Sequence, residues 1–322
     1  MDITVFIVNY NTCALLEKCL ESIFDTKGDL NVEVLIADNN SADGSLEMIR
    51  TKFPQVALKC YAENMGFTKA INPLLSRGKG EYYLLLHPDL KLMPGTLKCF
   101  LEFFESHPRV GVLGGNLYYP DGTPNSCEVL CPGFKSDLLC FAGRAFGKLP
   151  GIRKLVGDFN LVEWSHETTS RVNWVWNACM MIRRGVLEQI GYFDEDFFVW
   201  YADWDLCKRA TNAGWSVCYV HSAKAIHYER QSPDEAFAAK EEIRYKVDGW
   251  HSAAMMIRDR HIFVKKHCGY RSTLGIRVID VVQNMLRLCL ILARFLLCRR
   301  TLRETSFQVR ACLQTIHATL KA

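Results

Sequence analysis

Four times in its first hundred residues this chain alternates an apolar run with a helical segment, and that alternation constrains the fold more than anything else in it. ITVFIVNY (3–10) is a nearly unbroken apolar run, as expected of a parallel strand covered on both faces. Thr12 can cap the helix that follows, where Leu15, Leu16, Cys19, Leu20, Ile23 and Phe24 recur at helical spacing. VEVLIADN (32–39) is a second strand, and its turn residues lead into the helix SLEMIRTKF, ended by Pro54. VALKCYA, the helix FTKAINPLLSRG, the strand EYYLLLHPD, the helix GTLKCFLEFFESH behind Pro94 and the strand VGVLGG continue the series. Repeated units of this kind predict a doubly wound, mostly parallel α/β sheet.

The pattern loosens over residues 117–172, which read as a loop-rich insert. It resumes with the strand WVWNACMMIRR, the short helix GVLEQIG, the helix DWDLCKRATNAG with Gly214 as its C-cap, and the strand WSVCYVHSAKAIHY. From Pro233 on it is helical. The reading is therefore an α/β domain over 1–232 and a helical, basic region over 233–322.

Acidic residues close three of the strand-like runs: Asp38, Asp89, and the Asp203/Asp205 pair, with His227 some twenty residues later. Open α/β sheets place ligands beyond the carboxyl ends of their strands. Two carboxylates and a histidine can hold one divalent cation, which suits an anionic diphosphate. Asp89 is the best metal-ligand candidate, because Mg²⁺ needs only one or two protein carboxylates beside substrate phosphates. His87 shares a strand face with Asp89 and reads as a buried, satisfied histidine. Gly66 opens a turn before a helix N-terminus, a setting that favours an anion. Lys69 and Asn72, on that helix, read equally well as phosphate contacts or as ordinary surface residues.

Charge is unevenly spread. From Arg258 to Arg310 twelve Lys or Arg stand against three Asp or Glu, a local +9 within a chain of +4 overall. Uncharged stretches there, such as 288–293, fall far short of the ~20 residues a membrane span requires. Arg277, Asp280, Asn284, Arg287 and Arg294 form one helical stripe, with Val281, Val282, Met285, Leu288 and Leu292 elsewhere. Such a helix lies on an anionic lipid surface or packs on protein. Nucleic acid is not expected, because no recognition motif accompanies the charge. The 14 cysteines form no framework, and Met1-Asp2-Ile3 does not read as a secretory signal, so reduced, cytosolic thiols are expected. Cys127 and Cys131 lack the second pair that a zinc site needs.

FIVNYN, IADNNSADGS, ENMGFTKAIN, LLHPDL, IGYFDEDFF, ADWDLCKRA and HYERQS stand in this order over residues 3–232. Together they resemble the motifs of the family-2 inverting glycosyltransferases, in particular the rhamnosyltransferase-like branch. The resemblance implies a GT-A fold, a dTDP- or UDP-sugar donor with dTDP-rhamnose favoured, Mg²⁺ or Mn²⁺, and displacement with inversion. With it go the expectations of a glycan or polyprenyl-linked acceptor and, from the basic helix, of work at the inner face of the cell membrane. By this resemblance Asp38 meets the donor's base or ribose, with Asn9 and Tyr10 beside it and Asn64, Gly66 and Lys69 nearby. Asp38 reads otherwise as an Asx-turn or helix cap. His227 completes the metal site with Asp89, and Arg230 reaches the diphosphate.

Asp203 would be the general base, since an alcohol is a poor nucleophile near neutral pH; a helix-capping role is its alternative. Asp205 would orient the loop. Trp176, Asn177, Trp200 and Trp204 would lie on the acceptor side, with core packing explaining at least one of the tryptophans. The chain departs from the family pattern in three places: His87 stands for Asn, Ala202 for Glu, and Asn177 for Gly. The rival readings are a nucleotidyltransferase, opposed by the absence of glycine from NYNTCALLEK, and a non-catalytic nucleotide-sugar-binding module.

Overall fold

The computed structural model describes residues 2–125, 133, 136–138, 167–228, 255–296, 309, 312–313, 315–317 and 319–320, with backbone only for Arg294 and Leu296. The chain divides into two compact units. One comprises Met1–Cys127, Ser165–Phe198 and Ala202–Pro233; the other comprises Glu128–Trp164, Val199–Tyr201 and Asp234–Ala322.

The first unit begins β1 (Ile3–Asn9), α1 (Cys13–Thr26), β2 (Val32–Asp38), α2 (Ser45–Lys52), β3 (Ala57–Cys60) and α3 (Gly66–Leu75). It continues with β4 (Tyr82–Leu86), β5 (Leu90–Leu92), α4 (Thr96–Ser106) and β6 (Val110–Tyr118). After the insert come β7 (Ser170–Val172), β8 (Cys179–Arg183), α5 (Arg184–Ile190), α6 (Ala202–Asn212) and β9 (Ser216–His227). Among the described residues these strands form one nine-stranded sheet in the order β3-β2-β1-β4-β8-β6-β9-β5, with β7 also on β9. β1 pairs in parallel with both β2 and β4, so the chain winds outward in both directions from β1. That is the switch point where such sheets open a crevice. β8 runs antiparallel between β4 and β6, which makes the sheet mixed but mostly parallel.

The core follows the sequence pattern. Ile3, Val5 and Ile7 of β1 pack with Leu16, Leu20 and Ile23 of α1, all fully buried. Each such side chain contributes about 1.5–3 kcal/mol on burial. α1 is capped differently from the expectation: the Thr12 hydroxyl donates to Asn9 Oδ1 at 2.6 Å, and Asp43 Oδ2 accepts from the Cys13 N–H at 2.7 Å. A side chain distant in sequence was available, and it took the capping position.

Three local expectations change. β5 was not foreseen, because three residues are too few for any periodicity to show. β4 ends at Leu86, so His87 and Asp89 stand together through a turn, closed by Leu90 N–H to His87 O at 3.2 Å, and not by strand alternation. β8 begins at Cys179, leaving Trp174–Ala178 outside the ladder. Ala178 O still accepts from the His87 N–H at 2.9 Å, one residue beyond the β4–β8 ladder, while the Asn177 N–H turns to Asp203 instead.

In the second unit, residues 255–268 are helical and α7 spans Tyr270–Leu296. No described helix is long and apolar enough to cross a membrane. α7 turns part of its polar stripe inward. Asp280 is buried, takes an ion pair from Arg260 and lies 3.2 Å from His261 Nε2. Arg260 also reaches Asp137 at 2.9 Å. Tyr270, Leu274, Val278, Val282, Leu286 and Leu290 are exposed instead. Cys289 is likewise exposed, whereas Cys19 and Cys207 are buried as small hydrophobes.

Candidate active site

The carboxyl ends of β1 and β2 meet in register at Asn9 and Asp38. Both are fully buried, and Asn9 Nδ2 donates to Asp38 Oδ2 at 2.7 Å. The other carboxylate oxygen accepts from the Ser41 N–H, three residues on, at 2.9 Å, a local capping-type contact and not the i to i+2 bond of an Asx-turn. Tyr10, the next residue after β1, is exposed. Asn64 and Lys69 are also exposed, and Asn64 Oδ1 accepts from the Gly66 N–H at 2.9 Å. Gly66 has φ +76°, and a Cβ there would come within 2.7 Å of the Phe198 ring and 2.8 Å of its carbonyl oxygen. Glycine is needed at this position for that packing. Asn72 is structural, exchanging two hydrogen bonds with the backbone of Phe193.

The β4–β5 turn and the end of β9 build the chemical centre. β5 pairs antiparallel with β9 so that Leu90 faces His227, and Tyr228 N–H donates to Asp89 O at 2.9 Å. His227 Nε2 lies 3.4 Å from Asp89 Oδ2. With His87 they form a cluster whose ligand-type atoms all lie within 4.8 Å of one another. Burial raises the pKa of Asp89, but the His227 hydrogen bond and the charge of His87 outweigh it, holding the carboxyl below its ordinary value. Among the described residues, Asp89 Oδ1 is buried with no hydrogen-bond partner. An orphaned carboxylate oxygen is costly to bury, and beside two imidazoles it fits a divalent cation.

Behind His87 lies the loop Trp174–Ala178. Asn177 Oδ1 is 3.2 Å from His87 Nε2, and the Asn177 N–H points to Asp203 Oδ2 at 3.5 Å. Asp203 stands in the first turn of α6 and also accepts from the Trp204 N–H at 2.8 Å. Burial pushes its pKa up to about 7, against the lowering effect of those N–H groups. Asp205 is committed elsewhere, 2.7 Å from Arg209 Nε, whose guanidinium holds the carbonyls of Ile190 and Tyr192.

Trp176 stands edge-on to His227 with ring centroids 6.0 Å apart. Trp204 is buried and stacked on Trp174 at 4.5 Å, so packing accounts for it. Trp200 belongs to the second unit, where it is exposed and its backbone N–H donates to Asp259 Oδ2 at 3.1 Å. Arg230, Cys127 and Cys131 lie outside the described residues.

Asn125 was missed. β6 runs to Tyr118, a turn at Asp121-Gly122 follows, and Asn125 N–H returns to Leu117 O at 2.8 Å. Its buried amide meets His227 Nδ1 at 3.0 Å. The Asp-Gly pair is a hairpin signal that could have found this return inside the supposed insert.

A switch point in the sheet, a cation-type cluster and a carboxyl group tuned near neutrality fit group-transfer chemistry. Residues 4–146 match the family model described as Glycosyl transferase family 2. The chain carries a domain of that family, on the GT-A fold, and is a glycosyltransferase. It is 27% identical, over 80% of its length and 84% of the relative's, to the N-acetylglucosaminyl-diphospho-decaprenol L-rhamnosyltransferase of Mycobacterium tuberculosis. It is also 27% identical to the O-antigen biosynthesis protein RfbC of Myxococcus xanthus, over 68% of this chain but 16% of that one. Among solved structures, the mannosyltransferase PcManGT of Pyrobaculum calidifontis, in complex with GDP-Man and Mn²⁺, superposes with a TM-score of 0.54. The match covers 99% of this chain and 86% of that chain at 14% identity.

Proposed function

We propose that this chain transfers a sugar, rhamnose before others, from a dTDP- or UDP-linked donor to a hydroxyl of a glycan or polyprenyl-linked acceptor, with inversion. The observation that carries the reading is the short path from Asp203 through Asn177 to the His87, Asp89 and His227 cluster. It sets a proton acceptor beside a cation-type site, the two functions that displacement of a nucleoside diphosphate requires. The M. tuberculosis relative, by its name a rhamnosyltransferase with a decaprenol-linked acceptor, supports the donor and the acceptor class.

In this mechanism the acceptor oxygen attacks the anomeric carbon, the bond from that carbon to the diphosphate breaks, and Asp203 takes the acceptor's proton. A base with pKa near 7 is half deprotonated at neutral pH and still basic enough to accept. Asp89 and His227 would hold Mg²⁺ or Mn²⁺, which when bound neutralises the departing diphosphate. Asn9, Tyr10 and Asp38 would line the base and ribose, with Asn64, Gly66, Lys69 and Arg230 toward the phosphates. Trp176 and Asn177 are assigned to the acceptor side, with Trp204 as support for the stack; Trp200, expected there from the sequence, belongs to the second unit.

The exposed row Tyr270, Leu274, Val278, Val282, Leu286 and Leu290, in a stretch of local charge +9, supports work at an anionic membrane surface on the cytoplasmic side. The test of the whole reading is turnover. Purified protein is given dTDP-rhamnose or UDP-sugars with Mn²⁺ and a polyprenyl-diphosphate-linked sugar, and product is read by mass spectrometry. Absence of both product and donor-induced thermal shift across the panel would remove it.

A further inference from the structure

The His87 ring lies in one cluster with Asp89 and His227, whose ligand-type atoms are all within 4.8 Å of one another. We propose that the chain holds its cation with two imidazoles and one carboxylate, His87, His227 and Asp89, and that this set selects Mn²⁺-class transition cations over Mg²⁺. The proposal rests on the assignment of Asp89 and His227 as metal ligands made above. Mg²⁺ prefers oxygen ligands and keeps much of its water. Imidazole nitrogen suits later divalent metals, whose affinities rise along the first transition row. A second imidazole among three protein ligands therefore moves the site away from Mg²⁺.

Both rings are supported as ligating histidines are, with a second group that orients the imidazole. Asn177 Oδ1 lies 3.2 Å from His87 Nε2, and the Asn125 amide lies 3.0 Å from His227 Nδ1. Both asparagines are buried. An amide can present either its oxygen or its NH₂ group, and the two orientations look alike in outline. In the structure Asn125 Nδ2 faces Nδ1; with the amide turned over, its oxygen receives the Nδ1–H and leaves the lone pair on Nε2. Nε2 is the nitrogen that faces Asp89 at 3.4 Å. Asn125 is thus a positioning residue for His227.

The test uses the metal-stripped full chain without donor. Mn²⁺ binding is followed by EPR, with Mg²⁺ as competitor. Bound Mn²⁺ should resist roughly a hundredfold excess of Mg²⁺, and pulsed EPR should detect nitrogen couplings from two imidazoles. His87→Asn should weaken Mn²⁺ binding by about tenfold or more and narrow the preference over Mg²⁺. Asn125→Leu should weaken Mn²⁺ by ~10–100-fold, and Asn125→Asp, which keeps an acceptor oxygen, should restore it. Coupling to a single imidazole in the unsubstituted protein would overturn the proposal without recourse to any variant. So would wild-type Mn²⁺ binding and selectivity in His87→Asn. Asp89→Ala separates the two levels. If it loses Mn²⁺ while His87→Asn does not, only the two-imidazole inference falls. If Asp89→Ala binds Mn²⁺ normally, the cation assignment made under the proposed function falls with it.

Discussion

The backbone N–H of Asn177 points at Asp203 Oδ2 across 3.5 Å, while the side chain of the same residue reaches His87 Nε2 at 3.2 Å. One loop residue thereby spans the distance between the proposed base and the cation cluster. It can do so because Trp174–Ala178 stays outside the β8 ladder. A strand residue there would have spent its N–H on a neighbouring strand.

Asp203→Asn keeps shape and removes basicity. A positioned base contributes ~10²–10⁴-fold in rate, so kcat should fall by about that factor with donor affinity little changed. Steady-state kinetics check this; retained turnover in Asp203→Asn with loss in Asp205→Asn would move the base to Asp205.

The same group sets a pH dependence. Activity requires the deprotonated carboxylate, so kcat should rise with pH through about 7. Stability runs the other way. The folded state holds the Asp203 proton up to about pH 7, whereas the unfolded chain releases it near the ordinary carboxyl pKa of about 4. Folding stability from this group is therefore full below that lower value and is lost as pH rises toward 7. Asp203→Asn should then be more stable than the parent at pH 7–8, by an amount on the order of a few kcal/mol. Calorimetry at pH 5 and pH 8 reads the difference; equal melting temperatures at both would contradict the burial argument.

Asp205 is fully buried and paired with Arg209, which holds the carbonyls of Ile190, Gly191 and Tyr192 before α6. Removing one partner of such a pair leaves an uncompensated charge, at a cost of about 3–5 kcal/mol. Asp205→Ala should therefore lower the urea midpoint strongly, whereas a shift no larger than that of a surface control would show the pair to be dispensable.

Chelation with EDTA should abolish transfer, and Asp89→Ala should weaken donor binding in calorimetric titration. Full activity of Asp89→Ala in EDTA would end the cation assignment.

For the membrane reading, Leu274→Asp and Leu286→Asp alter exposed positions of α7, so the fold should persist. Both should reduce co-sedimentation with anionic vesicles, and the parent should release at high salt, where surface charge is screened. Equal binding by parent and variants would assign the exposed row to another purpose.

The order of strands and helices was legible because each βα unit writes its own local pattern. The apolar runs of β1, β2 and β4 could be read without knowing their neighbours, and so could the helical spacing of α1. Asp38, Asp89, Asp203 and His227 could be singled out by where they fall relative to strand ends. The contacts that tune them were not legible. Asn125 reaches His227 across 102 positions and Asn177 reaches His87 across 90, so no local period carries either pair. The pKa of Asp203 depends on burial, which belongs to the packed chain and not to the residue. The inward turn of Asp280 on α7 depends in the same way on Arg260 and His261, twenty and nineteen residues earlier. Amphipathic spacing defines two faces of a helix, but only its packing partners decide which face is buried.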